Sequence, residues 1–314
     1  MSSLIEKAAQ RLEQLRQAGV DLGTTNPPPV AVQATQPPAL ETPVGPPKAT
    51  QPTPPASRRV ELDLPRLTAD GFVMPNAPRS AIADQFRVIK RPLLDNAMGK
   101  SGSVVANGNL IMVTSAIQGE GKSFTALNLA LSMTMELDST VLLVDADVAR
   151  PSLGKTLGLP PGPGLLDLLL DDSLDMSQAL LRTNIDKLTL LPGGTPHPRA
   201  TELLASDAMT ALVEQMGRRY PDRIIIFDSP PLLLTTEARV LATHMGQIVL
   251  VVQAERTLQS QVEHALATIQ ACPIKMVLLN QALIGDEDAY GYGYGYGHTA
   301  SQAAASNVPV SSHK

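Results

Sequence analysis

The segment Ala116-Ile117-Gln118-Gly119-Glu120-Gly121-Lys122-Ser123 constrains this chain more than any other. It follows an apolar run, Leu110 to Thr114, and opens a helical pattern from Ser123 to Glu136. A glycine-containing loop between a strand and a helix lets backbone amides surround phosphate oxygens, and the amino end of the helix adds partial positive charge. Lys122 is placed to neutralise the β and γ phosphates of a triphosphate, and Ser123 to ligate magnesium. Gly119, Glu120, Gly121, Lys122, Ser123 and Phe124 are therefore the expected nucleotide-binding residues, with ATP and Mg2+ as ligands. Only the first position of the motif departs: Ala116 stands where glycine is commonest, and alanine is small enough to leave the turn open.

Around this loop, short apolar runs alternate with helical patterns. Val141 to Val144 precedes a helix near Leu165 to Leu170; Leu188 to Leu191 precedes one over Thr201 to Arg219. Ile224 to Phe227, Ile248 to Val252 with a helix over Thr257 to Ala271, and Met276 to Leu279 complete the series. Continuous apolar strands separated by amphipathic helices predict an α/β fold, a mostly parallel sheet with helices on both faces, of the P-loop nucleotide-binding type. Ligands of such sheets bind beyond the carboxyl ends of the strands. Two of these strands end in acids, Asp145-Ala-Asp147 and Asp228-Ser-Pro-Pro231. Parallel strands would bring Asp145, Asp147 and Asp228 to the edge that carries Lys122. Three acids beside a triphosphate point to a metal, held by Ser123, Asp147 and Asp228, and to a base. Taken singly, each aspartate serves equally well as the cap of the helix after its strand.

Composition divides the 314 residues into unequal parts. Residues 1–25 hold an amphipathic helix, Ser3 to Gly19, with Ile5, Ala8, Leu12 and Leu15 on one face; it reads equally as a surface helix or as a docking helix. Residues 26–79 form a proline-rich linker, densest between Asn26 and Arg58, without the apolar content of a core. The folded nucleotide-binding domain is expected over 80–285. Residues 286–314 form a flexible tail in which Tyr290, Tyr292, Tyr294 and Tyr296 alternate with glycine. The net charge of −5 argues against nucleic-acid binding as the main task. A single cysteine, Cys272, excludes an internal disulfide or a multi-thiolate metal site. The start lacks the apolar stretch of a signal peptide and no run reaches the ~18 residues of a membrane span, so the expected compartment is the cytoplasm. His197 and His244 have no partner pattern and read as surface residues.

The phosphate loop, Asp145-x-Asp147 followed by Arg150-Pro151, and Asp228-x-x-Pro231 resemble the three nucleotide motifs of the bacterial tyrosine kinases, autokinases of polysaccharide systems. Leu188-Thr-Leu-Leu-Pro192-Gly-Gly, Glu202-Leu-Leu and the segment Phe86 to Leu94 extend the likeness, so that the chain is similar to the tyrosine autokinases of exosortase and exopolysaccharide loci. The resemblance implies phosphorylation of the tail tyrosines between subunits of a homo-oligomer. It implies an inner-membrane chain-length-determinant protein as activator, with peripheral recruitment to that membrane, and allows a protein-tyrosine phosphatase among the partners. Asp145 is then the expected catalytic base, with Lys122 and Asp147 completing the catalytic set. A phenol with a pKa of about 10 needs such a base at neutral pH. Tyr220 is the one tyrosine outside the tail.

Three positions depart from the family pattern or leave it open. Ala149 stands where an arginine is usual, with Arg150 next. The oligomerisation segment reads Asp84-x-x-Arg87-x-x-Lys90, in which lysine lacks the bidentate fork of arginine; the same residues also suit an ordinary charged helix face. Asn280 resembles an adenine-contacting residue and equally suits a strand-end turn. Two other readings compete. A positioning ATPase of the Min or Par type would carry a lysine where Ile117 stands. A non-catalytic nucleotide-binding scaffold would use the Gly-Tyr tail only for weak association.

Overall fold

A computed structural model describes residues 57–282, apart from 77, 79, 101, 103, 220 and 221. The amino-terminal helix, the linker up to residue 56, the tyrosine tail and Tyr220 lie outside the described residues. In chain order the elements are β1 (Arg58–Arg59), α1 (Leu64–Ala69), α2 (Ala81–Ala97), β2 (Leu110–Ser115), α3 (Lys122–Met133) and β3 (Thr140–Asp145). They continue with α4 (Leu153–Leu157), α5 (Leu165–Leu170), α6 (Met176–Ala179), β4 (Leu181–Arg182), β5 (Leu188–Leu191), α7 (Ala200–Leu204) and α8 (Asp207–Arg219). The last are β6 (Arg223–Asp228), α9 (Glu237–Ala242), β7 (Gln247–Gln253), α10 (Gln259–Thr268) and β8 (Ile274–Asn280).

The eight strands form one sheet in the order β1-β4-β5-β3-β6-β2-β7-β8. Every pairing is parallel except β4 with β5. The sheet has two apolar faces because β2, β3, β6 and β7 are nearly continuous hydrophobic runs whose successive side chains point to opposite sides. Leu110, Met112, Leu142, Val144, Ile225 and Phe227 pack with α5 and α7 to α10 on one face. Ile111, Val113, Val141, Leu143, Ile224 and Ile226 pack with α2 and α3 on the other. The expected α/β architecture is therefore observed. Among the described residues no helix is long and apolar enough to cross a membrane.

The folded part begins well before residue 80, which corrects the expected boundary. Val60 donates its amide to the Arg182 carbonyl at 2.8 Å, and Asn184 clamps the backbone of Leu62 in both directions, at 2.9 and 3.0 Å. This lengthens β1 along the sheet edge and buries Val60, Leu62, Leu67, Val73 and Met74. A second difference is the helix expected over Thr201 to Arg219, which is broken into α7 and α8. The Ser206 hydroxyl accepts the Met209 amide at 3.2 Å and starts a new helix there, a side-chain cap competing with continuation.

Burying five apolar side chains contributes on the order of 1.5–3 kcal/mol each before entropic costs are subtracted. A chain beginning at residue 80 should therefore unfold at least about 10 °C below one beginning at residue 57, or aggregate, as read by differential scanning calorimetry. Midpoints within about 2 °C of each other would mean that residues 57–79 are passengers.

Candidate active site

The loop after β2 owes its shape to two glycines and one buried acid. Gly119 and Gly121 sit at φ +91° and +90°, where a side chain would strain the backbone. A Cβ on Gly121 would also lie 2.1 Å from Asn280 Nδ2, so only glycine lets β8 approach. The Glu120 carboxylate is fully buried and accepts the Ile117 amide at 2.7 Å, the Gln253 amide at 3.4 Å and the Thr257 hydroxyl. Asn280 donates to the Glu120 carbonyl at 2.9 Å. Glu120 and Asn280 thus brace the loop from the β7–β8 side. Helix α3 has Gly121 as its cap residue and no side-chain cap, leaving its first amides open to an anion.

Parallel pairing brings the acids to this loop. Asp145 and Asp228 are register partners across β3 and β6, and Asp228 pairs with Val113 on β2. The Lys122 ammonium lies 2.6 Å from Asp147 Oδ2 and 3.8 Å from Asp228 Oδ1, and its side chain is only 11% exposed. Ser152 donates its hydroxyl to Ser123 at 2.8 Å. Arg150 reaches across to Gln118, bridging the loop after β3 to the loop after β2.

One ammonium faces three carboxylates, and the imbalance is visible in their surroundings. Burial, with the Asp228 and Asp147 charges adding to it, pushes the Asp145 carboxyl up to about 7. Burial pushes Asp228 up to about 6, against the opposing pull of Lys122. Asp145 Oδ1 and both Asp228 oxygens are buried without a hydrogen-bond partner. Orphaned carboxylate oxygens facing a phosphate loop suit a hard divalent cation, which would compensate charge that the protein alone does not. Among the described residues no group of three or more His, Cys, Asp or Glu side chains is placed to hold a metal ion by itself. Magnesium commonly takes one or two carboxylates and obtains its other ligands from water and phosphate, so Ser123, Asp147 and Asp228 fit it.

Lys122, Ser123 and Asp147 open onto a cleft of about 620 Å³, within the range of small-molecule sites. Gly119, Gly121, Lys122, Ser123, Phe124 and Asp147 line it, whereas Glu120, Asp145, Asp228 and Asn280 are not among its lining residues. Phe72, Ser152, Leu153, Thr156 and Leu234 line it too and carry no motif that singles them out. The oligomerisation segment is divided. Asp84 and Arg87 pair with each other on the exposed face of α2. Lys90 instead is 3% exposed, donating to the Ser132 carbonyl and pairing with Glu136 at 2.8 Å. Its ammonium holds Glu136 below the usual carboxylate range and locks α2 onto the end of α3.

No family model matches the chain. The tyrosine-protein kinase YwqD of Bacillus subtilis is 32% identical over 216 residues, spanning 68% of this chain and 87% of that protein. The tyrosine-protein kinase CpsD of Streptococcus agalactiae is 30% identical over 189 residues, spanning 58% of this chain and 81% of its own. Among solved structures, the chimerical protein CapA2B2 superposes with a TM-score of 0.57 at 28% identity, covering 73% of this chain and 94% of that one.

The raised carboxyls set the sign of a stability test on the nucleotide-free protein in chelator. Folded-state values above the unfolded ~3.9 mean that the folded state binds more protons between about pH 4 and 7, so stability falls as pH rises through that window. Asp145→Asn should raise the melting midpoint at pH 8 by about 2 °C or more and flatten its decline between pH 5 and 8. A lower midpoint with an unchanged pH slope would show that the carboxylate is compensated within the protein.

Proposed function

The chain belongs to the bacterial tyrosine kinases, and from that premise we propose that it transfers the γ-phosphoryl group of ATP to the tail tyrosines of a neighbouring subunit, regulating exopolysaccharide synthesis and export. The observation that carries this reading is the Lys122 ammonium between Asp147 and Asp228 at the phosphate loop, with the buried Asp145, whose Oδ1 lacks a hydrogen-bond partner, at the end of the neighbouring strand. Phosphoryl transfer asks a protein mainly for positioning and charge neutralisation, and this arrangement supplies both.

In this mechanism Lys122 leaves Asp147 for the β and γ phosphates, while the open amides of α3 hold phosphate oxygens. Bound magnesium would neutralise charge developing on the transferred group; Ser123, Asp147 and Asp228 would hold it. Asp145 accepts the proton of the incoming phenol as the bond from the phenolic oxygen to the γ phosphorus forms. The bond from that phosphorus to the bridging oxygen breaks, and ADP departs with the electron pair. Glu120 and Asn280 keep the loop in shape, and the adenine side of the nucleotide is assigned to the Asn280 end.

Transfer between subunits is favoured by where the chain leaves the sheet. Tyr290 follows Asn280 by ten residues, and Asn280 abuts the loop on the side away from β3. A chain's own tail would have to cross the bound nucleotide to reach Asp145. In the assembly, Asp84 and Arg87 are the members of the α2 segment available to a neighbour; Lys90 is committed to Glu136. Recruitment to the inner membrane by a chain-length-determinant activator, and reversal by a protein-tyrosine phosphatase, belong to the same proposal. Each added phosphate would bring about −2 charge to the tail and loosen the homo-oligomer by repulsion. A positioning ATPase is disfavoured by Ile117 and by the named activity of the relatives.

Mixing two full-length variants separates the alternatives. Lys122→Met, which retains the tail, should gain phosphotyrosine when incubated with ATP, magnesium and a variant whose four tail tyrosines are Phe. Neither variant alone should carry more than a few per cent of the wild-type label on immunoblot. Phosphate release without phosphotyrosine would mark an ATPase switch, and label on the Lys122→Met chain alone would place the chemistry elsewhere.

A further inference from the structure

Two aromatic rings, Phe72 and Phe124, line the cleft beside the phosphate loop. Phe72 reaches it from a short strap after α1. Gly71, at φ +83°, reverses the chain there, with Gly71 N donating to Thr68 O at 3.1 Å and Phe72 N to Leu67 O at 3.0 Å. The strap is then pinned to α3 by Asn128, which is fully buried. Its Oδ1 accepts the Val73 amide at 2.7 Å and its Nδ2 donates to the Phe124 carbonyl at 3.0 Å. The result is a tilted pair, Phe72 and Phe124, with ring centroids 5.2 Å apart and planes at 39°. Both rings are only partly buried, and both line the cleft together with Arg150, Leu153 and Thr156.

The position of this wall along the cleft indicates what it meets. Lys122 leans toward Asp147, at the β3 side, and Arg150, Leu153 and Thr156 all follow β3. Asn280 and β8 lie at the opposite side of the loop. The wall therefore shares its cleft with Lys122, Asp147 and the residues that follow β3, the side to which the mechanism above assigns the terminal phosphate and the arriving acceptor. Aromatic rings prefer tilted or edge-to-face partners, worth about 0.5–1.5 kcal/mol beyond the area they bury. Serine and threonine have no ring to offer.

We propose that Phe72 and Phe124 form the subsite that receives the acceptor's phenol ring, selecting tyrosine over serine or threonine, with Asn128 holding the strap in place. This deepens the kinase reading and rests on it for the identity of the acceptor. The protein has no tryptophan, so Phe72→Trp introduces a single fluorophore at the wall. The full chain carrying that change, with its four tail tyrosines replaced by Ser, is titrated with a Gly-Tyr-Gly-Tyr-Gly peptide in magnesium and a non-hydrolysable ATP analogue. A saturable change in emission is expected, absent with the Gly-Ser counterpart. In parallel, Phe72→Leu in the tail-Ser background should raise the peptide KM about 3- to 10-fold, leaving ATP affinity within twofold.

Phosphotyrosine formation without a peptide-dependent emission change would overturn the subsite and leave the kinase intact. Saturable peptide binding without phosphotyrosine would support the subsite and overturn the activity. Emission responding to the analogue alone, or loss of ATP affinity in Phe72→Leu, would overturn the proposal by making the wall a platform for the nucleobase.

Discussion

One lysine facing three buried carboxylates is the constraint on which the remainder of this molecule depends. Lys122 reaches Asp147 and Asp228 only because β2, β3 and β6 run parallel and end at the same edge, with Asp145 and Asp228 in register. Each carboxylate loses hydration when buried, and a single ammonium does not compensate all three. The cluster is unfavourable for the empty fold and favourable for a fold that holds a cation and a triphosphate. Strain of this electrostatic kind is expected where a site is preorganised for ligands that bring the missing charge.

The rest of the domain secures that edge. Two apolar layers fix the strands on both faces, so the loop ends cannot drift independently. Glu120 and Asn280 brace the phosphate loop from β7 and β8, while Arg150 and Ser152 tie the loop after β3 to it from the other side. Lys90 and Glu136 couple α2 to α3, the helix whose amino end faces the cleft. Sheet, loops and helix therefore set the positions of the acids together. These contacts support the phosphoryl-transfer reading beyond the identity of the motif residues.

The nucleotide side of the site was legible in the sequence because its residues sit at strand ends. An apolar run followed at once by Gly119 to Ser123, by Asp145 or by Asp228 announces both an element and the edge at which it stops. What stayed hidden depends on partners far away in the chain. Phe72 lies in a segment that composition assigns to a linker, and nothing local reveals Asn128, 55 or so positions on, as the acceptor of the Val73 amide at 2.7 Å. Asn184 holds Leu62 across a gap of 122 positions. Lys90 shares the spacing of Asp84 and Arg87, yet one turn further along α2 it meets Glu136 rather than solvent. Charge pattern alone does not record that difference. Ser206 shows the opposite scale: a single hydroxyl cap broke a helix that periodicity would have continued.

In the proposed mechanism Lys122 exchanges Asp147 for a triphosphate within this cleft, while the buried acids gain a cation. A crystal structure with a non-hydrolysable ATP analogue and magnesium tests it most directly. The Lys122 ammonium should lie within hydrogen-bond distance of β and γ phosphate oxygens, with Asp228 and Ser123 on the cation or its waters and Asp145 open to an approaching hydroxyl. A nucleotide bound outside the loop, or Lys122 still paired with Asp147 beside a bound triphosphate, would contradict it.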